Sequence, residues 1–195
     1  MSFTITYDIE ETKEGLPTII IHSQNRKIPL HSTFYPSKEA KALEKRFNPE
    51  KFDILIVLGV GLAYHLTSLE NKCHEYKKII IVDIIKNIEH KIKENPITSF
   101  LYSNENVIFI TGESNDVIEQ LLDGLLSFEG TKGFDVIEHT ASLRVFTEYY
   151  HEVLNSIEKI INRKAGNEAT KSAFGFRYIK NILSNILHLS AYKPV

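Results

Sequence analysis

The chain is short of the residues that would make several functions easy to assign. It holds one cysteine, Cys73, among 195 residues, so no intramolecular disulfide can form. That fits a reducing compartment. Cys73 lies in a polar stretch beside His74, and one Cys-His pair is too small a donor set for a metal. No apolar run approaches the ~20 residues needed to span a bilayer. Residues 2–8 lack the basic start and apolar centre of a secretory signal. A soluble, cytoplasmic protein without a membrane partner is expected. A basic excess is missing too: 23 Lys and Arg stand against 25 Asp and Glu, for a formal net charge of −2. Binding to a phosphate backbone usually needs a basic surplus or stripe, so nucleic acid is not an expected partner. Lys38, Lys41, Lys45 and Arg46 sit beside Glu39 and Glu44 and read as a solvated helix face. The eight histidines are scattered, with no His-x-His or His-Glu-x-x-His pattern. No Gly-x-Ser-x-Gly elbow and no Gly-x-x-x-x-Gly-Lys phosphate loop occurs. The sequence therefore assigns no metal ligand and no catalytic residue.

What is present is a strong hydrophobic pattern. Hydrophobic residues make up 43% of the chain, enough for a real core at this length. Residues 3–9 alternate between apolar and polar, the period of a half-buried strand. Residues 18–21 and 28–33 read as two further strands, separated by the polar turn Gln24-Asn25-Arg26-Lys27. The first 33 residues thus predict a small antiparallel β appendage. A helix follows, with Ser37 as its N-cap, Ala40, Leu43 and Phe47 as its stripe, and Asn48-Pro49 as its stop.

From residue 53 the pattern changes to strands alternating with helices. Strands are predicted at residues 53–58, 78–83, 107–110 and 134–137. Helices are predicted near residues 62–70, 85–94 and 114–126, and after residue 141. Such alternation implies an open, mostly parallel, Rossmann-like α/β sheet over residues 34–140. Residues 141–195 read as a C-terminal helical hairpin. Its first helix carries Val145, Tyr149, Val153, Leu154, Ile157 and Ile161, and its second spans residues 174–189. Both helices present wide apolar faces that would suit a partner surface or a second copy of the chain.

The predicted ligand edge begins at Gly59-x-Gly61, directly behind the first parallel strand. Glycines let a ligand approach the backbone, and the following amides, Leu62 and Tyr64 among them, attract an anion. Asp83 ends the second parallel strand, where an acidic residue can take the hydroxyls of a ribose. Glu113 follows the third strand at the same edge. Gly59, Gly61, Leu62, Tyr64, Asp83 and Glu113 are the candidate cofactor-binding residues, for a nucleotide, a sugar nucleotide or S-adenosylmethionine. Tyr64 occupies the place of the third glycine of a dinucleotide fingerprint, which disfavours a pyrophosphate there. His65 is expected to be partly exposed. Glu138-His139 closes the fourth strand at the same edge.

Several segments together resemble the N-terminal domain of the motility accessory factor (Maf) family, glycosyltransferases that modify bacterial flagellin. His31-Ser-Thr-Phe-Tyr-Pro36 with Glu39-Ala40 is similar to that family's opening segment, with altered spacing around Tyr35. Leu58-Gly-Val-Gly-Leu-Ala-Tyr-His-Leu66 resembles its glycine turn, with Ala63 in place of a glycine. Asp83 stands where the family often has Glu. Asn167, Thr170, Phe174-Gly175, Tyr178, Asn181 and Asn185 resemble its last helix, with Tyr178 in place of Trp. The resemblance implies an accessory domain in flagellin glycosylation with nonulosonic, sialic-acid-like sugars. It implies flagellin or the protein's own catalytic domain as partner. Sugar transfer in that family belongs to a central domain that would begin near residue 195. The alternative is a stand-alone, methyltransferase-like protein that binds S-adenosylmethionine.

Overall fold

The structure is a computed structural model that describes residues 5–23, 26–126 and 131–164. Two sheets organise it. Strands β1 (Tyr7–Glu11), β2 (Pro17–Ser23) and β3 (Arg26–Pro29) form an antiparallel sheet in the order β1-β2-β3. Strands β4 (Ile54–Leu58), β5 (Lys78–Asp83), β6 (Val107–Thr111) and β7 (Phe134–Glu138) form a parallel sheet in the order β6-β5-β4-β7. The α/β architecture with an antiparallel β appendage is the one that the residue pattern predicts.

The parallel sheet owes its place to composition. Ile54, Leu55, Ile56, Val57 and Leu58 of β4 are all buried, as are Ile79, Ile80, Ile81 and Val82 of β5. Continuous apolar runs rich in β-branched residues suit central strands covered on both faces. Leu58 pairs with Val82 on one side and Glu138 on the other. From β4 the chain steps outward to β5 and β6, then returns to β7 on the opposite flank of β4. The order therefore reverses between β4 and β7. Open α/β sheets take their ligands outside the carboxyl ends of strands at such a reversal.

The helices are α1 (Ala40–Leu43), α2 (Ile88–Glu94), α3 (Phe100–Ser103), α4 (Asn115–Leu125), α5 (Thr140–Val145) and α6 (Thr147–Lys164). Two predicted helices differ in kind. The segment after the glycine turn is a 3-10 helix, Tyr64–Leu69, and a 3-10 turn, Pro36–Glu39, leads into a single turn of α1. Ser37 lies inside that turn and not at its N-cap; its hydroxyl and amide both bond to the Glu14 carboxylate. The third strand is also shorter than predicted and starts earlier, since Arg26 and Lys27, expected in the turn, pair with β2. It ends at Pro29, because residues 30–33 bend toward the parallel sheet, where Leu30 and His31 are buried.

The appendage shares the main core. Ile19, Ile21 and Leu30 belong to the same apolar cluster as Leu55, Val57 and Ile81. In α6, Tyr149, Tyr150, Val153, Leu154, Ile157, Ile160 and Ile161 are buried in that cluster. Its apolar face is thus covered by the chain itself. The second predicted helix, with Asn167, Thr170, Phe174, Tyr178, Asn181 and Asn185, lies outside the described residues. Among the described residues, no helix is long and apolar enough to cross a membrane.

Tyr64 bolts the appendage to the sheet. Its ring is fully buried, and its hydroxyl donates to the Pro17 carbonyl at 2.9 Å. The same oxygen accepts from the Asn95 side-chain amide at 2.9 Å. Burial, with nearby Glu39 and Glu14 adding to it, raises the phenol pKa to about 12, so it stays a donor. Tyr64→Phe leaves both partners unpaired. It is expected to lower stability by about 1–3 kcal/mol in urea titration with an unchanged m-value. An unmoved midpoint would show that this bolt carries no stability.

Candidate functional site at the sheet reversal

The turn after β4 is tight and closed by its own protein. Gly59 and Gly61 have φ of +73° and +52°, a region that disfavours any other residue. A Cβ at Gly59 would collide with Ser142 of α5, and one at Gly61 with the imidazole of His31. The glycines thus admit side chains of this chain where a ligand was expected. Ala63 also has a left-handed φ, +64°, at the position where the resembled motif carries glycine.

Four consecutive amides of the turn, Val60 to Ala63, have partners, with Ala63 donating to the Val60 carbonyl. Val60 and Gly61 donate to Oδ2 of Asp83 at 2.7 and 3.4 Å. Ile85 donates to Oδ1 of the same carboxyl at 2.8 Å. Asp83 is fully buried; desolvation raises its pKa, and the three amides pull it back. Leu62 donates to Nε2 of His31 at 2.8 Å. Nδ1 of His31 donates to Oε2 of Glu39 at 2.6 Å, while Oε1 of Glu39 accepts from the Ser32 amide at 2.7 Å. These bonds place the His31 proton on Nδ1 and use both of its nitrogens.

Of the six candidate cofactor residues, five gather at this turn and one does not. Gly59, Gly61, Leu62, Tyr64 and Asp83 form one buried knot. Leu62 is 1% exposed and Tyr64 fully covered, so neither side chain is presented to solvent. Glu113 is exposed beyond β6 and does not line the neighbouring crevice. Cys73 is buried as well, and burial raises its thiol to about 11, which keeps it inert.

Beside the knot lies a crevice of about 450 Å³ at the carboxyl ends of β4 and β7. Its walls include Leu30, His31 and Glu39 from the appendage side, and His65, Glu138, His139 and Ala141 from the sheet side. Three imidazoles stack there. The rings of His31 and His139 lie 4.7 Å apart, and those of His65 and His139 4.6 Å apart at an interplanar angle of 13°. His139 Nδ1 is 2.7 Å from the Ser142 hydroxyl, and its backbone amide donates to Leu58, which fixes it at the end of β7. His65 is 4% exposed, against the expected surface position, and neither ring nitrogen has a partner in the protein. A second groove, about 470 Å³, runs between the exposed polar faces of α4 and α6, where Glu119, Glu152 and Glu158 face water.

Electrostatics separate the crevice from an anion site. No Lys or Arg lines it, and two carboxylates do. Burial pushes Glu138 up, with Arg46 opposing, and pushes His65 down to about 3. Burial and the two neighbouring imidazoles hold His139 well below the ordinary histidine range. All of this suits hydrogen-bond donors or cations and repels phosphate. No periodicity joins His31, Glu39, His65 and His139, which come from four separate segments. The one sequence signal that touches three of them is the family-like pair of segments around His31-Glu39 and Tyr64-His65. No protein-family model matches the chain, and no curated protein matches it.

Two outcomes are expected. Gly61→Ala forces His31 off the Leu62 amide and is expected to destabilise by about 2–4 kcal/mol. Gly124→Ala, in α4 with open space around it, is expected to stabilise by about 0.5–1 kcal/mol. Equal melting shifts for the two would refute the closed turn. The second outcome concerns pH. His65 and His139 bind protons in the unfolded chain near the ordinary value of 6.5, but not in the folded one. Their stabilising effect is therefore full above that value and is lost as pH falls toward about 3. The melting temperature is expected to drop over this interval, with a smaller drop in His65→Leu.

Proposed function

We propose that this chain is an accessory, noncatalytic domain of a motility-associated glycosyltransferase, acting in flagellin glycosylation with sialic-acid-like sugars. One observation carries it: the Val60, Gly61 and Leu62 amides, placed to cradle a nucleotide phosphate, are occupied by Asp83 and His31. The residues of the family resemblance then have structural work. Glu39, His31, the glycine turn and Asp83, distant in sequence, join in one hydrogen-bonded knot. A domain whose shared motifs close its own ligand edge serves as a scaffold.

Docking to flagellin or to the transferase's own catalytic domain is the role assigned to the exposed aromatic pair. Phe34 and Tyr35 are each 50% exposed, and the Ser32 hydroxyl accepts from both of their amides, which stiffens the loop. The ammonium groups of Lys13 and Lys38 lie over the two rings at 4.4 and 4.1 Å. Aromatic anchors on a stiff loop are favoured at interfaces.

The methyltransferase-like alternative has one observation on its side, the strand order β6-β5-β4-β7 with an acid at the end of β5. Against it stands the same acid, which already accepts three backbone amides.

Two measurements test the proposal. Deleting this coding segment from its gene is expected to abolish the sugar mass on flagellin in the source organism. Replacing Phe34 and Tyr35 together by Ser should reduce modification without changing the melting temperature. Thermal shift with a cytidine or uridine nucleotide or S-adenosylmethionine is expected to stay flat. Unchanged flagellin mass in the deletion strain would overturn the assignment; a saturable shift would reinstate a cofactor site.

A further inference from the structure

An edge strand offers unpaired backbone groups to any extended chain that meets it. Among the described residues the two sheets have four edge strands, β1, β3, β6 and β7. Three of them are guarded. β1 carries Asp8, Glu10 and Glu11 within its five residues. β3 is four residues long and holds Arg26, Lys27 and Pro29. In β7, Gly133 and His139 bond across to β4, so Val136 turns its backbone outward. The Val136 amide donates to the Asp135 carboxylate at 2.9 Å, and its carbonyl accepts from the Arg46 guanidinium at 3.4 Å. Charges, proline, short length and covered backbone groups are the usual defences of an exposed edge.

β6 has none of these. Its sequence, Val107-Ile-Phe-Ile-Thr111, contains no charge and no proline. The Gly112 amide donates to the Asp83 carbonyl, and the Asn106 carbonyl accepts from the Ile79 amide, so the even-numbered residues face β5. Val107, Phe109 and Thr111 therefore turn their backbone groups outward. Among the described residues, the Phe109 amide and carbonyl, the Thr111 amide and the Val107 carbonyl have no hydrogen-bond partner. Val107, Ile108 and Phe109 are partly exposed. The helices before and after β6 present apolar groups as well. Tyr102 of α3 is 39% exposed, with its ring 6.5 Å from that of Phe109, and Val117 and Leu121 of α4 are exposed too.

We propose that β6 pairs with β6 of a second copy of this chain, antiparallel about a two-fold axis at Phe109. A two-fold interface must be complementary to itself, and this strand is. Phe109 meets Phe109 of the second copy, and the pair exchanges two hydrogen bonds. The Thr111 amide of each copy reaches the Val107 carbonyl of the other. Ile108 and Ile110 are opposite each other, so no like charges meet within the strand. A strand without charge has no means of selecting an acidic or basic foreign segment, which favours its own copy as the occupant. Self-pairing of β1 would instead crowd carboxylates together. Glu105 and Glu113 are exposed just outside β6, and their repulsion across the axis is screened by salt. Pairing joins the two four-stranded parallel sheets into one of eight strands. The carboxyl ends of the two halves, and with them the two crevices, point in opposite directions.

The test combines sedimentation velocity with hydrogen exchange on the full chain. A reversible monomer–dimer equilibrium is expected, with a dissociation constant of roughly 1–100 μM, as for small transient interfaces. Added salt should lower that constant. Peptides covering residues 107–111 should gain protection as concentration rises, because the Phe109 and Thr111 amides are free in the monomer. Ile108→Lys puts a guarding charge on the edge, close to its own symmetry mate. It should raise the dissociation constant at least about tenfold. Ile108 lies outside the main apolar cluster, so dilute protein should keep its melting temperature. Should that variant misfold, the wild-type exchange profile decides alone. A monomer at every concentration overturns the proposal. So does a dimer whose 107–111 exchange ignores concentration, or one that Ile108→Lys leaves unchanged.

Discussion

Backbone donors at the end of β4 have to be satisfied once the strand is buried, and this constraint governs the rest of the molecule. The turn at Val60, Gly61 and Leu62 exposes three amides to a dry interior. Many sheets of this type leave such amides to a bound phosphate. Here Asp83 reaches across from the end of β5, and His31 reaches in from the appendage. Their side chains do permanently what a ligand would do transiently. Gly59 and Gly61 are required because Ser142 and His31 sit where their Cβ atoms would be.

From that constraint the relation between the two sheets follows. His31 can cap Leu62 only if the segment after β3 folds back over the carboxyl ends of the parallel strands. Thr18 donates to the His31 carbonyl, and Leu30 donates to Ile19, so the bend is pinned to β2. Tyr64 adds a second tie to Pro17. The appendage therefore shares one core with the α/β sheet, and the histidine stack forms at the seam. Closing the turn and building the crevice are two results of one packing choice.

The same geometry divides what the edge can recognise. Anions are disfavoured, since the Val60, Gly61 and Leu62 amides are used and carboxylates line the crevice. The His65 imidazole, whose nitrogens have no partner in the protein, remains. A Rossmann-like fold can thus carry the outline of a nucleotide site while its own side chains take the amides of the turn. Fold and function separate at this point, as they often do in widely used architectures.

Much of the fold was legible in residue order. The apolar runs at β4 and β5 could only be central strands, and 3.6-residue periodicity marked α4 and α6. Local chemistry went wrong where tertiary contacts override it. Ser37 looked like a cap, yet Glu14, 23 residues earlier, takes both its amide and its hydroxyl. His65 looked exposed because it follows a loop, and is buried because the Pro36–Glu39 turn and α1 pack over that segment. Gly59, Gly61 and Asp83 were legible as a set, but not whether a ligand or the protein fills them. Strand, turn and helix identity come from short-range pattern, which the sequence carries by itself. The partner of each buried donor comes from segments tens of residues away, and only tertiary packing brings His31, Glu39, His65 and His139 to one place.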